Sequence, residues 1–180
     1  MLPSLSINLT DQAISSYLFS LHTPALVSFF SLVSVLGNRW SVTCITILIF
    51  GWLFFRKKYR LAGVIVLGVS GAALTTFYLK LLFARPRPDL LLNQLDTFSF
   101  PSGHATSAFA LYGTLLYIVS KLNGNSYATC IVSGFLVLVI FLIGMSRVYL
   151  GYHYLSDVLV GYVVGLVWLL LSIWLFKLHR

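Results

Sequence analysis

Residues 127–176 read YATCIVSGFLVLVIFLIGMSRVYLGYHYLSDVLVGYVVGLVWLLLSIWLF, two long apolar runs joined by a short polar stretch. The first run, Tyr127 to Met145, carries no charged residue, and the second, His153 to Phe176, carries Asp157 alone. Each approaches the ~20 residues that cross the hydrocarbon core of a bilayer as a helix. At their junction stand Ser146 and Arg147, with His153 and Asp157 at the start of the second run, too polar to sit there without a purpose.

The pattern repeats toward the N-terminus. Gly103 to Ser120, Leu61 to Phe83 and Asn38 to Phe55 read as further membrane helices. The Asn38 run is short and holds Arg39 and Arg56 at its two interfaces. Pro24 to Leu36 is apolar but too short to span, which fits a re-entrant or interfacial element. Asp11 to Leu21 reads as a helix lying at the surface. The predicted fold is all-α: a polytopic membrane helix bundle of about five transmembrane helices plus N-terminal interfacial or re-entrant helices. It forms a single domain over 1–180, with 1–37 as the interfacial element and 38–180 as the bundle. Gly161 and Gly165 form a GxxxG, read as a close helix contact inside the fold.

Composition agrees. The 180-residue chain is 59% hydrophobic and 9% charged, against roughly 25% charged in soluble domains, so most of its surface faces lipid. Its net charge of +8 is a topology signal in such a chain rather than a nucleic-acid footprint. Arg56, Lys57, Lys58, Arg60, Lys121, Lys177 and Arg180 all fall on one side by helix parity, which the positive-inside rule makes cytoplasmic. Cys44 and Cys130, each inside an apolar run, read as small core residues.

The acids limit the chemistry. There is no Glu, and the only carboxylate side chains are Asp11, Asp89, Asp96 and Asp157. A two-metal site needs several ligating carboxylates or histidines together. No metal site and no cofactor is expected, and phosphate chemistry here would rest on cationic side chains. Asp89 and Asp96 read as solvated loop acids, His22 as an interfacial residue and His179 as a tail residue.

Three polar clusters break the apolar chain: Lys80 with Arg87-Pro88, Pro101-Ser102-Gly103-His104, and Ser146-Arg147 with His153 and Asp157. Each falls at an outward end of a predicted helix, so parity alone gathers all three on one membrane face. Together they resemble the three-part signature of the type 2 phosphatidic acid phosphatase superfamily, KxxxxxxRP, PSGH and SRxxxxxHxxxD. Every defining position is present. The likeness departs in length, because family members commonly have six spans and the first is not seen here.

Residue chemistry and resemblance agree on roles. His153 and Asp157 stand four apart, read as the start of the last helix, where they share a face. A carboxylate on one ring nitrogen fixes the tautomer and frees the other nitrogen to attack. His153 is the expected nucleophile, Asp157 its orienting partner, and His104 the general acid for the leaving oxygen. Ser102 caps the helix that starts at Gly103, whose free N–H groups suit an anion. Lys80, Arg87 and Arg147 supply charge for the equatorial oxygens, with Ser102 and Gly103 beside them. Arg85, next to the first cluster, reads as a solvated loop cation, with steering of anionic substrate as the second reading. Tyr149, Tyr152 and Tyr154 read either as walls of the substrate path or as an aromatic belt.

The resemblance implies a lipid phosphate or diphosphate phosphatase of a bacterial cytoplasmic membrane, its partners a lipid phosphate substrate and membrane lipids. The substrates it implies are undecaprenyl diphosphate, which is preferred, phosphatidylglycerophosphate and phosphatidic acid. A lipid phosphotransferase and a non-catalytic lipid-phosphate binder are the rival readings.

Overall fold

The computed structural model describes residues 2–88, 97–124 and 126–178, with the backbone alone for 2–8 and 178. Asp89, Asp96 and His179 lie outside the described residues. Seven helices follow in chain order: α1 (Leu2–Ser20), α2 (Pro24–Val35), α3 (Arg39–Phe55), α4 (Tyr59–Phe83), α5 (Gly103–Asn123), α6 (Tyr127–Tyr149) and α7 (Leu155–Leu178). No strand occurs among the described residues.

Local chemistry sets many of their ends. Thr23, Asn38, Ser102 and Ser126 each cap the following helix by accepting a backbone N–H through the side-chain oxygen. Pro24 opens α2, where its missing N–H costs nothing. Gly124 closes α5 at φ 63°, a conformation that penalises a side chain.

Helices α4 to α7 are long and apolar enough to cross a membrane. Helices α2 and α3 pass the same test only together, as a pair bent by 41°. Four helices are thus candidate spans, and α2 with α3 makes a fifth if the bent pair, broken at Leu36–Asn38, counts as one span; the same bend fits the re-entrant element expected from Pro24 to Leu36. The chain is a multi-pass membrane protein. Leu48, Leu82 and Trp40 are 71%, 75% and 70% exposed, an arrangement that suits lipid as the surrounding solvent.

The core runs along the middle of the bundle, where Leu53, Ile65, Leu111 and Ile143 are fully buried. Helix α5 lies against α4, α6 and α7. Gly161 and Gly165 let α7 approach α5 closely: a Cβ at either position would stand 2.8 Å from a backbone oxygen of α5 or its cap, Ser102 at the first and Thr106 at the second. Cys44 and Cys130 correct the sequence reading. Both are free and exposed on the outer surface, where lipid accepts a small thiol as readily as a core does.

Because α4 and α6 run one way and α5 and α7 the other, the last turns of α4 and α6 meet the first turns of α5 and α7 at one end of the bundle.

Candidate active site

That end holds all three polar clusters. The connection between α6 and α7 is pulled tight by the carbonyl of Arg147, which accepts from the N–H groups of Tyr152 and His153 at 3.0 and 3.2 Å. Gly151 makes the turn at φ 72°. The five-residue spacer between Arg147 and His153 is thus the length of this turn. His153 precedes α7 rather than opening it, which corrects the expectation of a shared helix face. The two side chains still face each other: His153 Nδ1 stands 3.5 Å from Asp157 Oδ2, both buried, and Nδ1 makes no hydrogen bond at that separation. Burial first, then the charges of Arg147 and Arg87, push the His153 imidazole down to about 4 against the pull of Asp157. The ring is therefore neutral at ordinary pH.

Asp157 is tied on every side. Its Oδ2 accepts from the Tyr154 N–H at 3.0 Å, closing the first turn of α7. Its backbone oxygen accepts from the Ser102 N–H at 3.0 Å, which locks the PSGH segment to α7. Its Oδ1 accepts from Arg85 at 2.7 Å.

The cations converge from three elements. Arg87 donates to the Thr97 and Tyr152 carbonyls and to Thr97 Oγ1, and its Nη1 lies 3.4 Å from His153 Nε2. Lys80, in the last turn of α4, donates to the Phe98 and Ser99 carbonyls at 2.6 and 3.3 Å. Arg147 is 7% exposed, lies over the Tyr152 ring at 4.2 Å and donates from Nη1 to Ser34 Oγ on α2. Its Nε, also buried, meets no acceptor within the protein, leaving a strong donor for an anion. The charges of Arg147, Arg87 and Lys80 all act on His104. Ser102 and Gly103 sit beside it at the start of α5. Lys80, Arg87, Ser102, Gly103, His104, Arg147, His153 and Asp157 are thereby brought together at one end of the bundle.

The break between α2 and α3 forms a further wall. Tyr112 Oη donates to the Leu36 carbonyl at 2.9 Å. A Cβ on Gly37 would stand 2.5 Å from Ile143 Cγ2 and 3.3 Å from His104 Cδ2, so only glycine lets the break reach the histidine.

Asp11 and the pairing of Arg85 escaped the sequence reading. Arg85 is not a solvated cation. It pairs with Asp157 at 2.7 Å and Asp11 at 2.9 Å, donates to Ser156 Oγ and lies 4.2 Å over the Tyr154 ring. Despite partial burial, these carboxylates hold its guanidinium above its ordinary value. Asp11, 3% exposed on α1, also accepts from the Ser156 N–H and hydroxyl. A carboxylate in an otherwise acid-poor chain was the one available signal. The tyrosines also sort themselves: Tyr152 and Tyr154 lie under cations, whereas Tyr149 is buried and donates to the Leu21 carbonyl. His22 is half-buried, its Nε2 2.6 Å from the Tyr149 carbonyl.

Residues 58–180 match the PAP2 superfamily. The chain belongs to that family. It is 34% identical to phosphatidylglycerophosphatase B of Bacillus subtilis (strain 168) over 87% of this chain and 78% of the relative. It is 30% identical to undecaprenyl-diphosphatase BcrC of the same organism over 64% of this chain and 58% of the relative. The crystal structure of a transmembrane PAP2 type phosphatidylglycerolphosphate phosphatase from Bacillus subtilis superposes with a TM-score of 0.89 at 29% identity, covering 97% of this chain and 88% of that one. The chain is a phosphatase of this lipid phosphatase family.

Proposed function

We propose that the protein releases phosphate from a lipid phosphate through a phosphohistidine on His153, without a metal. The observation that carries this reading is the position of His153: Nδ1 lies 3.5 Å from the buried Asp157 carboxylate while Nε2 lies 3.4 Å from Arg87. Arg87 can only donate, so Nε2 is the unprotonated nitrogen and the proton sits on Nδ1, facing the carboxylate. An arriving phosphate takes the Arg87 donor and exposes the Nε2 lone pair.

In the first step Nε2 attacks phosphorus, an N–P bond forms and the P–O bond to the lipid breaks. His104 gives its proton to the leaving oxygen. A bound phosphate dianion favours the charged form of His104, which readies it as an acid. In the second step water attacks phosphorus, the N–P bond breaks and His104 takes a proton from the water. Arg87, Arg147, Lys80 and the N–H groups at the start of α5 hold the equatorial oxygens in both steps.

A phosphatidylglycerophosphatase B matches over 87% of this chain and a phosphatidylglycerolphosphate phosphatase structure over 97%, while a relative named an undecaprenyl-diphosphatase matches over 64%. We therefore place phosphatidylglycerophosphate first among substrates and keep undecaprenyl diphosphate, the choice favoured by the sequence reading, as the second. With Arg56, Lys57, Lys58, Arg60, Lys121 and Lys177 at the opposite end of the bundle, the positive-inside rule turns the site toward the extracytoplasmic face of a cytoplasmic membrane. Phosphate release from a panel of lipid phosphates, with chelator present, tests the reading. Turnover of phosphatidylglycerophosphate ahead of undecaprenyl diphosphate and phosphatidic acid is expected. Loss of all turnover on chelation contradicts the metal-free chemistry.

A further inference from the structure

Among its described side chains, helix α1 meets the bundle along one narrow face, and that face carries a carboxylate. Asp11, Ile14, Ser15 and Leu18 stand three and four residues apart, so they share one side of the helix. Ile14 and Leu18 pack against the small core of Ala105, Val148 and Val158. Asp11, 3% exposed, is thereby held at the first turn of α7. It lies N-terminal to the stretch 58–180 that matches the family, and none of the three polar clusters contains it.

The carboxylate accepts the Ser156 backbone N–H at 3.1 Å and the Ser156 hydroxyl as well. That N–H is one of the first-turn donors of α7 that no intrahelical carbonyl can reach, so Asp11 caps the helix from another element. Its charge also sits at the positive end of that helix. Asp11 Oδ2 accepts from Arg85 Nη2 at 2.9 Å, while Arg85 Nη1 donates to Ser156 Oγ and to Asp157 Oδ1, both at 2.7 Å. Two carboxylates therefore share one guanidinium, and Ser156 bridges them.

We propose that Asp11 is a positioning residue for the phosphoryl-transfer step, acting through Arg85 and the first turn of α7 on the Asp157 carboxylate that faces His153. Sharing Arg85 leaves more of the Asp157 charge for the imidazole. That charge is used when Nε2 bonds to phosphorus, because the ring becomes cationic while its Nδ1 proton faces Asp157. The proposal rests on His153 as the nucleophile and adds helix α1 to the elements that serve it.

The test measures kcat, KM and thermal midpoint for variants of the full chain on one lipid phosphate. Asp11→Asn keeps an acceptor for Ser156 but removes the charge. It is expected to lower kcat about tenfold with KM changed by less than about twofold, and Asp11→Glu should recover part of the loss. In an Arg85→Ala background the same Asp11→Asn step should cost less than about twofold, because both residues act through one guanidinium. Ile14→Ala, which loosens α1 without touching the ion network, should lower the thermal midpoint and keep kcat. If Asp11→Asn does not fold, Asp11→Glu set against Ile14→Ala makes the same comparison, with the kcat loss expected in the first alone. Unchanged kcat on changing Asp11, an equal kcat loss in Ile14→Ala, or independent losses in the double variant overturns the proposal. Failure of the nucleophile assignment would show separately, as turnover retained in His153→Ala.

Discussion

Arg85 and Asp157 form an ion pair of 2.7 Å in which the carboxylate is fully buried and the guanidinium 19% exposed. One oxygen of Asp157 is given to Arg85 and the other faces His153 and the Tyr154 N–H. The arrangement fixes the plane of the carboxylate before any substrate arrives. Asp11 holds the far side of the same guanidinium at 2.9 Å, so helix α1 reaches Asp157 and His153 through one arginine.

Arg85 therefore acts as a positioning residue. Arg85→Ala leaves two buried carboxylates without their cation, which costs about 1–3 kcal/mol of stability and misaligns His153. A kcat loss of about 10–100-fold with little change in KM is expected. Arg85→Lys should recover part of it, because one ammonium can still reach one carboxylate. A change confined to KM would instead mark Arg85 as a substrate contact. Steady-state kinetics on the two variants separate the outcomes.

The pH dependence follows from the buried imidazole. With the folded value near 4 against the usual 6.5, His153 stays unprotonated down to about 4. After correction for substrate ionisation, the acid limb of kcat/KM assigned to the nucleophile should lie near 4. Between 6.5 and 4 the unfolded chain takes up a proton that folded His153 refuses. The stability from this group is complete above 6.5 and is lost as pH falls through 4. An imidazole NMR titration of His153 near 6.5 would contradict this.

Gly37 presents a steric test. Gly37→Ala puts a methyl 2.5 Å from Ile143 Cγ2 and 3.3 Å from His104 Cδ2. Overpacking of this kind costs about 1–3 kcal/mol and displaces the histidine. A lower thermal midpoint is expected, together with a drop in kcat larger than any change in KM. Full activity in the variant would remove the break from the site's wall.

Arg147 offers a buried Nε without a protein acceptor. Arg147→Lys keeps the charge but not the planar fork. Orthovanadate, a phosphate mimic, should bind this variant about 10–100-fold more weakly by competition assay. Unchanged vanadate affinity would assign Arg147 to packing on Tyr152 alone.

Much of this was legible in the residues. Helices α4 to α7 announce themselves because lipid demands long apolar runs, and Lys80, Arg87, His104, Arg147, His153 and Asp157 stand out as polar exceptions at helix ends. What stayed hidden was long-range pairing. Asp11 and Arg85 are far apart in sequence, and no periodicity links an acid on a surface-like helix to a loop arginine. Ser34 reaches Arg147 across a still longer gap, and a serine in an apolar run carries no sign of its partner. The start of α7 was misread because hydropathy cannot see that His153 belongs to a turn closed on the Arg147 carbonyl. The cysteines were misread because core and lipid are equally apolar.

The most direct test of the account is capture of its covalent intermediate. Rapid quenching of turnover with phosphate-labelled substrate should give an acid-labile, alkali-stable label on His153. The label should be absent in His153→Ala, whose phosphate release falls by at least about 10³-fold. Unimpaired release by that variant, or label on another residue, would contradict the account.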